Sequence, residues 1–170
     1  MKRGRLFWIT GLSGAGKTTV GTKLYDYLKQ KDNGVILFDG DELRAVYQST
    51  DYSDEGRKRI GQTTNRLCKL LTDQGLDVIC CMVGMNEENR SWNRNNIDNY
   101  YEVYLKVDID ELIRRDQRGL YSKALKGEVN NLPGINMDFD EPKNADLVIN
   151  NYGSSAPDDA LRMIIEAFDL

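Results

Sequence analysis

Apolar positions follow two rhythms along this chain. Short apolar runs at Leu6-Phe7-Trp8-Ile9-Thr10, Val35-Ile36-Leu37-Phe38, residues 78–83 and Leu147-Val148-Ile149 read as strands. The run at 78–83 is apolar throughout, as a strand covered on both faces should be. Residues 101–107 alternate and predict one more strand. Between the strands, apolar residues recur at helical spacing. Residues 17–30 carry Val20, Leu24, Tyr27 and Leu28 on one side, with Asn33-Gly34 as the stop. Ser53 is a candidate N-cap for a helix bearing Ile60, Thr64, Leu67, Leu70 and Leu71, which ends at Gly75. Shorter helices are expected over residues 42–47, 87–97 and 110–116, and Pro157 opens an amphipathic helix to Phe168. Residues 119–136 show no clean period and read as a loop too long to be a mere connection. Strands alternating with helices predict an α/β protein: a parallel five-stranded sheet with helices on both faces and ligands beyond the strands' carboxyl ends.

Size and charge narrow the classes. A chain of 170 residues fits a single domain. A net charge of −4 argues against nucleic acid as a partner. No apolar run reaches a membrane span, and Leu6 to Thr10 is too short for a signal-peptide core, so a cytoplasmic protein is expected. Cys68, Cys80 and Cys81 form no C-x-x-C pair and read as buried thiols. There is no histidine, which excludes a Ser-His-Asp triad and His-ligated zinc. A proton acceptor at neutral pH is then expected to be a carboxylate.

The stretch GLSGAGKTT follows the first strand and opens the first helix. Gly11, four residues, then Gly16-Lys17-Thr18 is the spacing of a phosphate-binding loop. Its backbone N–H groups, from Ser13, Gly14 and Ala15 through Thr19, can cradle phosphate oxygens at the helix N-terminus. Lys17 can reach the terminal phosphates and the Thr18 hydroxyl can ligate Mg²⁺. Asp39-Gly40-Asp41 ends the second strand on the same rim. Its carboxylates can hold Mg²⁺ or take a proton from an attacking hydroxyl; alternatively Asp41 is a helix cap. Arg44 and the run Arg57-Lys58-Arg59 can bind an anionic acceptor or form a solvated face. Arg114-Arg115 leads into the long loop, which reads as a mobile lid that excludes water. Trp92, with Asn93 and Arg94 on an expected helix, reads as partner or core packing. A guanine-reading N-K-x-D element does not occur, and Asp116-Gln117-Arg118-Gly119 falls too late for a switch. A small P-loop kinase fits best; a nucleotide-binding module is the alternative.

GLSGAGKTT, DGD followed by Arg44, Arg115-Asp116, and GLYSKALKGE from Gly119 resemble adenylylsulfate (APS) kinase, as do PGI at Pro133, Phe139, Pro142 and ADLV. The resemblance implies a P-loop kinase fold, ATP with Mg²⁺, transfer of the γ-phosphate to a nucleotide ribose 3′-hydroxyl, and a homodimer. It implies Asp41 and Lys17 as catalytic, Thr18 and Asp39 as metal ligands, and an ATP contact at Arg115. Acceptor contacts are implied at Asp39, Asp41, Arg44, Tyr52, Arg59, Met82, Val83, Lys123, Leu132 and Ile135. Departures cluster on the acceptor side. Asp51-Tyr52-Ser53 stands for G-F-S, Gly56 for an Asn, Gly84-Met85-Asn86-Glu87 for S-P-Y-R, and Leu132 for an aromatic of the base clamp. One branch of the family phosphorylates cytidine diphosphoramidate in capsular phosphoramidate synthesis. A pyrimidine acceptor of that kind is the expectation, with APS as the alternative.

Overall fold

The computed structural model describes residues 3–31, 34–151 and 157–170; Asn33, the expected helix stop, lies outside them. Strands β1 (Leu6–Thr10), β2 (Val35–Asp39), β3 (Asp77–Met82), β4 (Tyr100–Lys106) and β5 (Leu147–Asn150) form one parallel sheet in the order β2-β3-β1-β4-β5. Successive strand residues point to opposite faces, which is why the runs are apolar throughout. Phe7 and Ile9 join Ile79, Val103 and Leu105 beneath α1 (Lys17–Lys29) and α7 (Pro157–Phe168). Leu6 and Trp8 join Val78, Cys80, Ile60 and Cys68 beneath α3 (Asp54–Asp73) on the other face. The three cysteines are free and buried. Among the described residues no helix is long and apolar enough to cross a membrane.

Chain direction places the site. From β1 the chain passes over β3 to β2; from β3 it passes over β1 to β4. The connections diverge between β1 and β3, and a crevice opens at their carboxyl ends. The registers Thr10↔Met82 and Asp39↔Cys81 put the three strand ends on one rim.

Two local expectations are corrected. The short helix α2 spans Gly40–Val46, and its N-cap is Asp39, which accepts from the Asp41 backbone N–H; Asp41 is not the cap. The supposed loop begins with a 3-10 turn, Gln117–Gly119, and a helix α6, Leu120–Leu125. Six residues are too few to display a period. The cap comes from upstream, where Asp116 Oδ1 accepts from the N–H groups of Tyr121 at 2.9 Å and Ser122 at 3.0 Å.

Candidate active site

The donor side is built from main chain. Helix α1 starts with Gly16 at φ 93°, no side-chain cap and no acidic residue in its first turn. Its first N–H groups are therefore open to an anion. A side chain on Gly16 is strained by the left-handed backbone, and its Cβ would come 2.8 Å from Asn151 Nδ2, so the Asn151 amide would have to shift. Ser13, Gly14 and Gly16 are half-buried, Ala15 is buried, and Thr18 and Thr19 are exposed. Arg115 reaches the loop from the end of α5 (Ile109–Arg115), with its Nη1 3.4 Å from the Gly14 carbonyl oxygen.

Lys17 and the two aspartates meet where that loop faces β2. Lys17 Nζ donates to the Leu12 carbonyl at 2.9 Å. Although the residue is only half-buried, its ammonium is enclosed, and desolvation lowers its pKa to about 8 against the pull of Cys81, Asp39 and Asp41. Thr18 Oγ1 donates to Asp39 Oδ2 at 2.6 Å. Hydroxyl and carboxylate oxygens side by side suit Mg²⁺, which needs few protein ligands because it keeps waters and phosphate oxygens. Asp41 is exposed, and its carboxylate is not used in the cap.

The residues expected to meet the acceptor form a wall of side chains. Arg44, on α2, donates from Nη1 to the Asp51 carbonyl at 2.8 Å and sets its guanidinium 4.2 Å from the centre of the Tyr52 ring. Arg57 lies 5.5 Å from the same ring and donates to the Asn131 carbonyl at 2.9 Å, tying α3 to the lid segment. Asp51 Oδ1 accepts from the Ser53 N–H at 3.0 Å and Oγ at 2.6 Å, while Arg59 reaches Oδ2 at 3.3 Å. These bonds, those of Ser53 first, lower the pKa of Asp51. The carboxylate lies over Gly56, where a Cβ would come 2.3 Å from its Cγ. Met82 is buried at the end of β3, Val83 and Ile135 are packed against the core, and Lys123 is exposed on α6. Leu132 is only 3% exposed and belongs to the core, while Tyr52 is 47% exposed.

The profile of adenylylsulphate kinase matches residues 3–150. The chain belongs to that family. It is 42% identical over 165 residues to the cytidine diphosphoramidate kinase of Campylobacter jejuni subsp. jejuni serotype O:2, a match covering 97% of this chain and 96% of that protein. A probable adenylyl-sulfate kinase of Aeropyrum pernix is 36% identical over 160 residues, covering 91% and 87%. The solved APS kinase of Mycobacterium tuberculosis, in complex with AMPPNP and APS, matches with a TM-score of 0.89 and 28% identity across 100% of both chains. This member of the adenylylsulphate kinase family is an ATP-dependent phosphotransferase acting on nucleotides.

Three residues of this adenylylsulphate kinase family member escaped sequence reasoning. Arg90, on α4 (Glu87–Asn96), is 2% exposed and donates to the Gly84 carbonyl at 3.0 Å, fixing the turn after β3. Its charge is met by Glu102 on β4 at 3.3 Å and by Glu87 at 2.6 Å. Desolvation raises the pKa of Glu102, against the bond it accepts from Tyr100 and the charge of Arg90. Nothing in the spacing of α4 marks Arg90 as buried. Tyr121 and Asn151 both touch the phosphate loop; Tyr121 lay within the quoted lid stretch, while Asn151 carried no signal.

Proposed function

We propose that this protein transfers the γ-phosphate of ATP to the ribose 3′-hydroxyl of cytidine diphosphoramidate, as one P-loop kinase domain working in the cytoplasm as a homodimer. The phosphate loop holds the triphosphate, with Lys17 neutralising the charge that spreads over the transferred group. Thr18 and Asp39 would hold Mg²⁺, which would offset the negative charge of the phosphates. The acceptor oxygen bonds to the γ-phosphorus, the bond to the bridging oxygen breaks and ADP leaves. Asp41 takes the hydroxyl proton or orients the hydroxyl and metal. The acceptor lies against Arg44, Tyr52, Arg59, Met82, Val83 and Lys123, and the segment from residue 119 closes over it to exclude water.

The observation that carries the pyrimidine reading is the unequal clamp. Tyr52 offers an exposed ring, whereas Leu132 is buried in the core and gives no second π-surface. A one-ring base loses less than a purine where stacking is one-sided. The 42% identity to a cytidine diphosphoramidate kinase supports the same choice. The second reading, APS as acceptor, is favoured by the similarity in shape to a kinase solved with APS bound. Steady-state ADP release with each acceptor separates them. A higher kcat/KM is expected for cytidine diphosphoramidate, and a higher one for APS reverses the assignment. Loss of the new phosphate to a 3′-nucleotidase checks the 3′ position.

A further inference from the structure

A phosphate cradle needs N–H groups pointing inward, so its carbonyls must point outward. Each peptide is planar and trans, so holding the carbonyl of one residue also fixes the N–H of the next. In this protein four consecutive loop carbonyls accept side-chain hydrogen bonds. Lys17 Nζ donates to Leu12 at 2.9 Å, and Tyr121 Oη to Ser13 at 2.7 Å. Arg115 Nη1 donates to Gly14 at 3.4 Å, and Asn151 Nδ2 to Ala15 at 2.6 Å. Beyond the loop's own lysine, the donors come from three places: the end of α5, the lid helix α6, and the residue after β5. Arg115 also joins two of them, since its Nη2 donates to the Asn151 carbonyl at 2.8 Å.

We propose that Tyr121 and Asn151 are positioning residues for the ATP site. Their bonds to the Ser13 and Ala15 carbonyls hold the Gly14 and Gly16 N–H groups toward the phosphates and couple the lid helix to the loop. Satisfying a buried carbonyl would explain either bond alone. It does not explain why separate elements converge on successive carbonyls, nor the match between Asn151 and a loop position that favours glycine. Tyr121 is 1% exposed, so its ring is fixed by packing and only its hydroxyl is spent on the loop. Burial raises the hydroxyl's pKa to about 12, so it stays a donor at neutral pH. Because the partner of Asn151 is a carbonyl oxygen, the amide must present its NH₂ to it.

The test rests on the ATP-binding reading and uses the full chain, with AMPPNP and Mg²⁺ titrated calorimetrically. Tyr121→Phe keeps the ring and removes one hydroxyl. The expected result is a Kd for AMPPNP raised roughly 3- to 10-fold. The KM for ATP should rise in step, while the KM for the acceptor stays near that of the parent and the melting temperature falls by about a few degrees, the cost of one unpaired carbonyl. Asn151→Asp, which sets a carboxylate against the Ala15 carbonyl, should weaken AMPPNP by more than ~10-fold. Unchanged AMPPNP affinity in a folded Tyr121→Phe overturns the proposal, whether or not the Asn151 variant folds. Failure of the unaltered protein to bind AMPPNP would instead overturn the ATP-binding reading.

Discussion

The two sides of the proposed active site are made from different materials. The donor side is a run of backbone from Gly11 to Thr19, and its shape follows from glycine conformations and the open end of α1. The acceptor side is assembled from side chains far apart in sequence: Arg44 on α2, Asp51 and Tyr52 before α3, Arg59 within it, and Arg57 bridging to Asn131 in the lid segment. Main chain is indifferent to most substitutions, so one nucleotide cradle can serve many kinases. A wall of side chains can be changed residue by residue, and there the proposed site would choose its acceptor. Asp41 stands at the junction, on the helix that follows β2 at the rim, so its loss should be felt in the transfer between the two sides.

The largest effect is therefore expected at Asp41. Asp41→Asn keeps the volume and removes the base, so kcat should fall by roughly 10²- to 10⁴-fold while the affinity for AMPPNP holds. Normal turnover in this variant would remove Asp41 from the chemistry and leave the two sides independent. A smaller effect belongs to the donor side alone. Desolvation depresses the Lys17 pKa from 10.5 to about 8, so rising pH strips the charge that attracts phosphate. The value of kcat/KM for ATP reports the free enzyme and should decline through pH 8, by at most about tenfold per unit. The KM for the acceptor should not follow that decline. A profile for ATP that stays flat to about pH 9.5 would mean that Lys17 keeps its ordinary pKa.

The same difference in material explains what could be read from the sequence. The loop, the five strands and the rim position of Asp39 follow from local pattern: a spacing of glycines, apolar runs and a strand end. The order of the strands in the sheet does not. Nor does the acceptor wall. The run Arg57-Lys58-Arg59 read equally as a solvated face, yet Arg57 reaches across to Asn131 and Arg59 to Asp51. Leu132 read as a partner for Tyr52, yet it packs into the core. Arg90 lies in a polar helix with no apolar stripe to announce burial, and its partners Gly84 and Glu102 lie in the turn after β3 and on β4, outside the helix's own spacing. Helix α6 was missed because its cap, Asp116, lies four residues before its first residue, Leu120, and the intervening turn breaks the period.

Gly56 offers the finest cut between the two sides. Alanine there would bring a Cβ to 2.3 Å from Asp51 Cγ, so the carboxylate must leave the Ser53 N–H and hydroxyl. Two terms then oppose each other in stability. An alanine inside α3 gains up to about 1 kcal/mol over glycine, and the disturbed cap loses about as much. The melting temperature should barely move. The geometry of Tyr52 should move, because Asp51 supports it from the neighbouring position and Arg44 is fastened to the Asp51 carbonyl. The expected outcome is an acceptor KM raised roughly 2- to 5-fold, the scale of one weakened ring contact, with the KM for ATP unchanged. In Gly56→Ala/Asp51→Ala the clash is gone, so the double variant should do no worse than Asp51→Ala alone. A Gly56→Ala enzyme that loses ATP affinity would show that α3 reaches the donor side, and the division drawn at Asp41 would not hold.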